Sequence, residues 1–144
     1  MTQGTILPYN GKTPKIADSA FIAPGAVIIG DVEIGEETNI WYNVVIRGDV
    51  NTVRIGKRTN IQDGTVCHVT YKTGPLTIGD EVTIGHNAII HACTLEDRAF
   101  VGMGATVMDQ AAVQTEAMVA AGALLSPKKQ VSTHELWSGV PAKL

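Results

Sequence analysis

The sequence is poor in the residues from which most small proteins build a core. It has two Phe, two Trp and three Tyr in 144 residues, so any core must be aliphatic. It has two cysteines, Cys67 and Cys93. That is too few for a disulfide framework, and their spacing matches no cysteine-rich zinc motif. Basic residues are not in excess. A net charge of -3 and a pI near 5.7 give no surface that would draw nucleic acid or anionic lipid. No apolar run approaches the roughly 20 residues needed to cross a bilayer. The opening "MTQGTILPYNGKTPKI" lacks the charged and apolar regions of a secretory signal. These absences predict a soluble, cytoplasmic, single-domain protein with no nucleic-acid or membrane partner. What is abundant is glycine, 15 in all, beside many β-branched residues. That composition favours many short strands over helices.

The strands follow a six-residue period. Ile16, Ile22, Ile28, Ile34, Ile40 and Ile46 lie six apart without a break. After "RGDVNTV" the register resumes at Ile55, Ile61 and Cys67, and after "HVTYKTGPLT" at Ile78, Ile84 and Ile90. Leu95, Val101, Val107, Val113, Val119 and Leu125 complete it. Glycine follows the key residue at Gly35, Gly56, Gly79, Gly85 and Gly102, and small or β-branched residues precede it by two. A period of six fits neither an amphipathic helix nor a long alternating strand. It fits a short strand and a tight corner, with glycine expected to relax the backbone there. Three such units close one triangular turn, and turns stack so that only neighbours touch. The reading is all-β, a parallel β-helix over 16–125, after a lead-in at 1–15. The stretch 126–144 is expected to leave the register as a cap or tail, carrying His134 as a solvated residue.

Counting key positions in threes stacks side chains of successive turns. Ile28, Ile46, Cys67, Ile90 and Val107 form one column, so Arg47, His68 and His91 stack just after it. Adjacent strands lie about 4.7–4.9 Å apart, close enough for His68 and His91 to share one metal. Ile40, Ile61, Ile84 and Val101 form the preceding face, with Gln62 one place after its column and Asp63 and His86 two places after. His86 therefore lies on a different side of the prism from His91. As a ligand it would have to complete a neighbouring subunit's site, an arrangement that closed cyclic symmetry permits. Three imidazoles with an open position are a catalytic zinc arrangement. Cys67 and Cys93 read as buried packing, Met103 and Met108 as lining, and Trp41 and Tyr42 as interface packing.

At these residues the sequence resembles the γ-class carbonic anhydrase family, through "NIWYNVVIRGDV", "RTNIQDGTVCHV", "IGHNAIIHACTL" and "FVGMGA". The resemblance implies a left-handed β-helix built from hexapeptide repeats and a homotrimer with Zn2+, or else Fe2+ or Co2+, at subunit interfaces. It implies His68, His86 and His91 as metal ligands. The implied reaction is reversible hydration of CO2 to bicarbonate by a metal-bound hydroxide. Gln62 would orient that hydroxide. Arg47 and Asp63 would form an ion pair near the bicarbonate site, with Asp49 and Asn60 nearby. Relatives carry a C-terminal helix after "PAK", which is expected to be absent here because the sequence stops at Leu144.

The sequence also departs from the family. Val50 and Tyr71 stand where the archaeal pattern has glutamates that export protons, and Glu96 is an acid whose place is open. Rival readings are an acyl-CoA thioesterase or acyltransferase on the same scaffold, and a non-catalytic metal-binding trimer. Hexapeptide transferases rely on one catalytic His and a long excursion. Three converging His and a short excursion point away from transfer.

Overall fold

The computed structural model describes residues 3–144, in which every regular element is a strand. The chain winds about seven times around a triangular prism, giving the parallel β-helix that the repeat predicts, with the left hand that the family resemblance implies. One face carries Thr5–Leu7, Val66–His68, Ile89–His91, Thr106–Val107 and Leu124–Leu125. The next carries Phe21–Ile22, Asn39–Ile40, Asn60–Ile61, Thr83–Ile84, Phe100–Val101, Met118–Val119 and Leu136–Trp137. The third carries Lys15–Ile16, Leu76–Ile78, Thr94–Leu95, Ala112–Val113 and Gln130–Val131. Two long strands, Val27–Ile34 and Val45–Ile55, run from the first face onto the third and join both into one sheet.

The key residues point inward and stack. Ile46 pairs with both Ile28 and Cys67, and Ile90 with both Cys67 and Val107. On the second face Ile61 sits between Ile40 and Ile84. All eight of these side chains are sealed from solvent, the aliphatic ones each contributing roughly 1.5–3 kcal/mol of burial. The β-branched position two before the key residue has a second use. The buried Thr38, Thr59 and Thr65 hydroxyls donate to the carbonyls of Gly56, Gly79 and Gly85 on the following turn. They also accept from the amides of Thr59, Val82 and Ala88. A polar group inside a narrow prism is thereby paired twice.

The glycines act differently from the sequence expectation. Gly35, Gly56, Gly79, Gly85 and Gly102 do not adopt left-handed angles. They are where successive turns touch. A Cβ on Gly35 would lie 2.6 Å from the Gly56 carbonyl carbon, and one on Gly85 would lie 2.6 Å from the Met103 nitrogen. Many left-handed corners are filled instead by residues with side chains, including Glu37, Arg58, Glu81, Arg98, Glu116 and His134 at φ 52–65°.

Those six stack along one edge as a ladder of largely alternating charge. Arg58 pairs with Glu81 at 3.0 Å, Arg98 with Glu116 at 2.9 Å, and His134 with Glu116 at 3.3 Å. His134 is exposed, as expected, but it is the top rung of this ladder rather than a free tail residue.

The register also runs further than the sequence reading has it. Val131 pairs with Val113 and Trp137 with Val119, six and twelve residues beyond Leu125. The "KKQV" and "ELW" segments hide that continuation because their flanks are polar and Trp replaces an aliphatic residue. At the other end Ile6 pairs with Ile28, so strand pairing begins inside the lead-in.

Candidate functional site

His68 and His91 are register partners on adjacent turns of the first face. Their rings face each other, with His68 Nδ1 3.2 Å from His91 Nε2. Each outer nitrogen meets a carboxylate: His68 Nε2 lies 3.0 Å from Asp49 Oδ1, and His91 Nδ1 lies 2.7 Å from Asp109 Oδ1. Burial pushes the Asp49 carboxyl up, but Arg47, His68 and the Val50 amide outweigh it and hold the group down at about 2. Asp109 is likewise raised by burial and lowered on balance by Thr70 and His91.

The proton count of this array is informative. Both carboxylates accept, so each outer nitrogen carries its hydrogen. The two inner nitrogens then face each other across 3.2 Å, where two bare lone pairs would repel. Only a proton or a cation between them relieves that repulsion. Two nitrogens sharing a tetrahedral zinc at about 2.0–2.1 Å would stand about 3.3 Å apart, so the donor set fits a metal ion.

His86 is on the second face, at the turn after Thr83–Ile84, and it does not join the other two within one chain. Its Nδ1 lies 3.0 Å from Asp63 Oδ2, and the ring is about half exposed. Among the described residues, no group of three His, Cys, Asp or Glu from one chain could hold a metal ion. Gln62 and His86 line one groove with Phe100 and Met103. Asn60 accepts the Trp41 indole N–H at 2.7 Å, which makes it a brace for the Phe21–Trp41–Tyr42 aromatic cluster. Arg47 pairs within the chain with Asp49 and not with Asp63. An Arg47–Asp63 pair could form only between copies, since the two residues lie on different faces.

The faces themselves differ in chemistry. The two that carry histidines expose Val66, Ile89, Phe100, Met103, Met118 and Leu136. The third presents Lys15, Glu33, Arg54 and Gln130. Met103 is exposed beside His86, and Met108 is half-buried next to Asp109.

Two residues of the cluster escaped the sequence reading. Asp109 follows the column of Val107 by two places, and Thr70, whose hydroxyl donates to Asp109, sits in the excursion where the six-residue count lapses. An acid one turn above a stacked histidine was the available signal. Glu96 serves elsewhere: on the third face it accepts from the Thr115 amide and hydroxyl at 2.9 and 3.1 Å. Tyr71 is exposed at the tip of the excursion, with the Lys72 ammonium 5.1 Å from its ring centre.

This geometry defines a hexapeptide-repeat protein with histidines divided between two apolar faces. The family model "Bacterial transferase hexapeptide (six repeats)" matches residues 13–48. Gamma carbonic anhydrase 2, mitochondrial, of Arabidopsis thaliana is 49% identical over 96% of this chain and 52% of its own length. Protein YrdA of Escherichia coli is 44% identical over 94% of the chain and 77% of its own. A solved structure of a hexapeptide transferase family protein from Anaplasma phagocytophilum is 52% identical. It superposes with a TM-score of 0.93 over 96% of this chain and 81% of that one. The chain belongs to the γ-class carbonic anhydrase family. It spans about half the length of the plant relatives.

Proposed function

We propose that this chain is a metal-dependent carbonic anhydrase, working as a homotrimer and interconverting CO2 and bicarbonate at sites shared between subunits. The observation that carries the reading is the His68–His91 pair, whose outer nitrogens are committed to Asp49 and Asp109 and whose inner nitrogens face each other. When bound, a metal ion, Zn2+ or else Fe2+ or Co2+, supplies Lewis-acid activation of water. His68 and His91 hold it from one chain and His86 from the next, with Asp63 fixing the His86 ring. Two apolar faces meeting around a threefold axis bring these side chains together and leave the charged third face in solvent. Gln62, beside His86 and with an amide that no described side chain engages, orients the reacting oxygen and CO2. Arg47, anchored by Asp49 and partly exposed, offers a positive charge to bicarbonate. Asn60 keeps Trp41 in place at the interface.

Two free, buried cysteines suit a reducing compartment, and the cytoplasm is the proposed location. Among the described residues no helix is long and apolar enough to cross a membrane.

The test is the metal content and assembly mass of the purified protein beside His86→Ala. Loss of metal with the trimer retained is the expected result, and full metal retention would remove His86 from the site. Stopped-flow CO2 hydration should be abolished by His91→Ala. Inactivity of both zinc- and iron-loaded protein would reject hydration. The Anaplasma relative is named a hexapeptide transferase family protein, which favours group transfer as the second reading. Release of free thiol from acyl-CoA by a protein inactive on CO2 would favour it.

A further inference from the structure

Beyond the three histidines, the array contains a carboxylate whose place is set by a segment outside the repeat. Asp109 Oδ1 lies 2.7 Å from His91 Nδ1, and its Oδ2 accepts the Thr70 hydroxyl. The Asp109 backbone is itself fixed. Its carbonyl accepts from the Lys128 amide at 3.0 Å, and the next amide, of Gln110, donates to Ala92 at 2.7 Å.

Thr70 is held just as firmly. Its amide donates to the Gly74 carbonyl at 2.8 Å, and its carbonyl accepts from Asn51 Nδ2 at 3.1 Å. Gly74 permits this closure, since a Cβ there would lie 2.7–2.8 Å from the Ala92 and Thr70 Cβ atoms. The excursion that interrupts the hexapeptide count therefore delivers one hydroxyl from the His68 turn to a carboxylate 39 residues later.

The same construction recurs at the other imidazole, where Asp49 meets His68 and the Arg47 guanidinium holds Asp49. A ring whose outer N–H is fixed by a carboxylate keeps its inner nitrogen bare and pointed at the centre.

We infer that Asp109, held by Thr70, is a positioning residue that fixes the tautomer and orientation of His91. The inference rests on the metal reading above. It assigns a purpose to the excursion: Thr70 locks Asp109, and Asp109 presents His91 Nε2.

The test uses the full chain with Asp109→Asn, Thr70→Val and the double variant. Zinc affinity is measured by competition with a chromogenic chelator. The His91 tautomer is read from imidazole 1H–15N correlations of the metal-free protein, and its stability from a urea midpoint. Asp109→Asn should weaken zinc binding about 10–100-fold and convert His91 away from the Nδ1–H tautomer. Thr70→Val should produce a smaller loss. The double variant should bind no more weakly than Asp109→Asn alone, because Thr70 acts through Asp109.

Unchanged affinity and tautomer in Asp109→Asn would overturn the inference, even where His91→Ala abolishes binding and upholds the metal reading. A lowered urea midpoint with an unchanged tautomer would also overturn it, by assigning Asp109 a purely structural role. Strictly additive losses in the double variant would sever Thr70 from Asp109. A wild-type chain that binds no zinc, iron or cobalt would defeat the metal reading and this inference together.

Discussion

Side chains occupy many corners where glycine would be the ordinary choice, and the five glycines that follow key residues lie where successive turns touch rather than at left-handed angles. The left-handed region costs a non-glycine residue roughly 1–2 kcal/mol. At exposed Lys128, with φ 65°, replacement by glycine relieves that strain while adding about 0.5–1 kcal/mol of unfolded-state entropy. Lys128→Gly should therefore leave the urea midpoint unchanged or slightly raised. Gly35→Ala should do the opposite. Its new methyl meets the Gly56 carbonyl carbon at 2.6 Å, and backbone cannot step aside as a flexible side chain can. A loss of about 1–3 kcal/mol in urea unfolding is expected. The two substitutions together decide whether these glycines serve close approach or turn geometry. Spacing alone could not separate those uses, because both place glycine at regular intervals beside an aliphatic residue. The stacking of His68 on His91 was legible for a simpler reason: alignment across turns follows from counting. The Asp109–Thr70 contact was not, since it depends on how "TYKTG" folds back, and no period describes that segment.

At the scale of strands and edges, the ladder from Glu37 to His134 joins turns that the core alone would hold less specifically. Aliphatic columns are nearly uniform, so a slip of one turn would still bury Ile against Ile or Val. The same slip would bring like charges such as Glu81 and Glu116 together. Electrostatics thus complements burial in setting the register, although exposed pairs contribute little to stability singly. Arg98→Glu places three acids in succession, Glu81, the new residue and Glu116. It should lower the urea midpoint at low ionic strength, and the difference from wild type should shrink in 1 M salt, where the screening length is about 3 Å. A deficit independent of salt would show that Arg98 acts through packing. The strands beyond Leu125 were harder to read than those before it. Val131 keeps the spacing, but Lys128, Lys129 and Gln130 surround it with polarity, and Trp137 closes the second face with a bulk the earlier turns never use.

Across the whole molecule, the sealed interior governs the thiols. Burial pushes Cys67 up to about 12, and burial with Cys67 nearby raises Cys93 as well. An unfolded chain releases these protons near pH 8.5. Folding therefore keeps protons that the unfolded state gives up. This contribution to stability is complete below about pH 8.5 and is lost progressively as pH rises toward 12. Urea midpoints at pH 8 and 10.5 should fall more steeply for wild type than for Cys67→Ala. The native protein should leave an aromatic disulfide reagent unreacted at pH 8 and consume it at both cysteines once denatured.

The prism is also a ruler. Ile22 pairs with Ile40, so one full circuit is eighteen residues. A complete circuit inserted above Val131, beyond Asp109 and the Lys128 amide that holds its carbonyl, would translate everything past it without rotating any face. The same insertion between His68 and His91 would double their separation to about 9.5 Å, beyond the span of any single ion's coordination shell. Evolution and engineering are free to lengthen this molecule at its ends, and they are held to a single circuit at its waist.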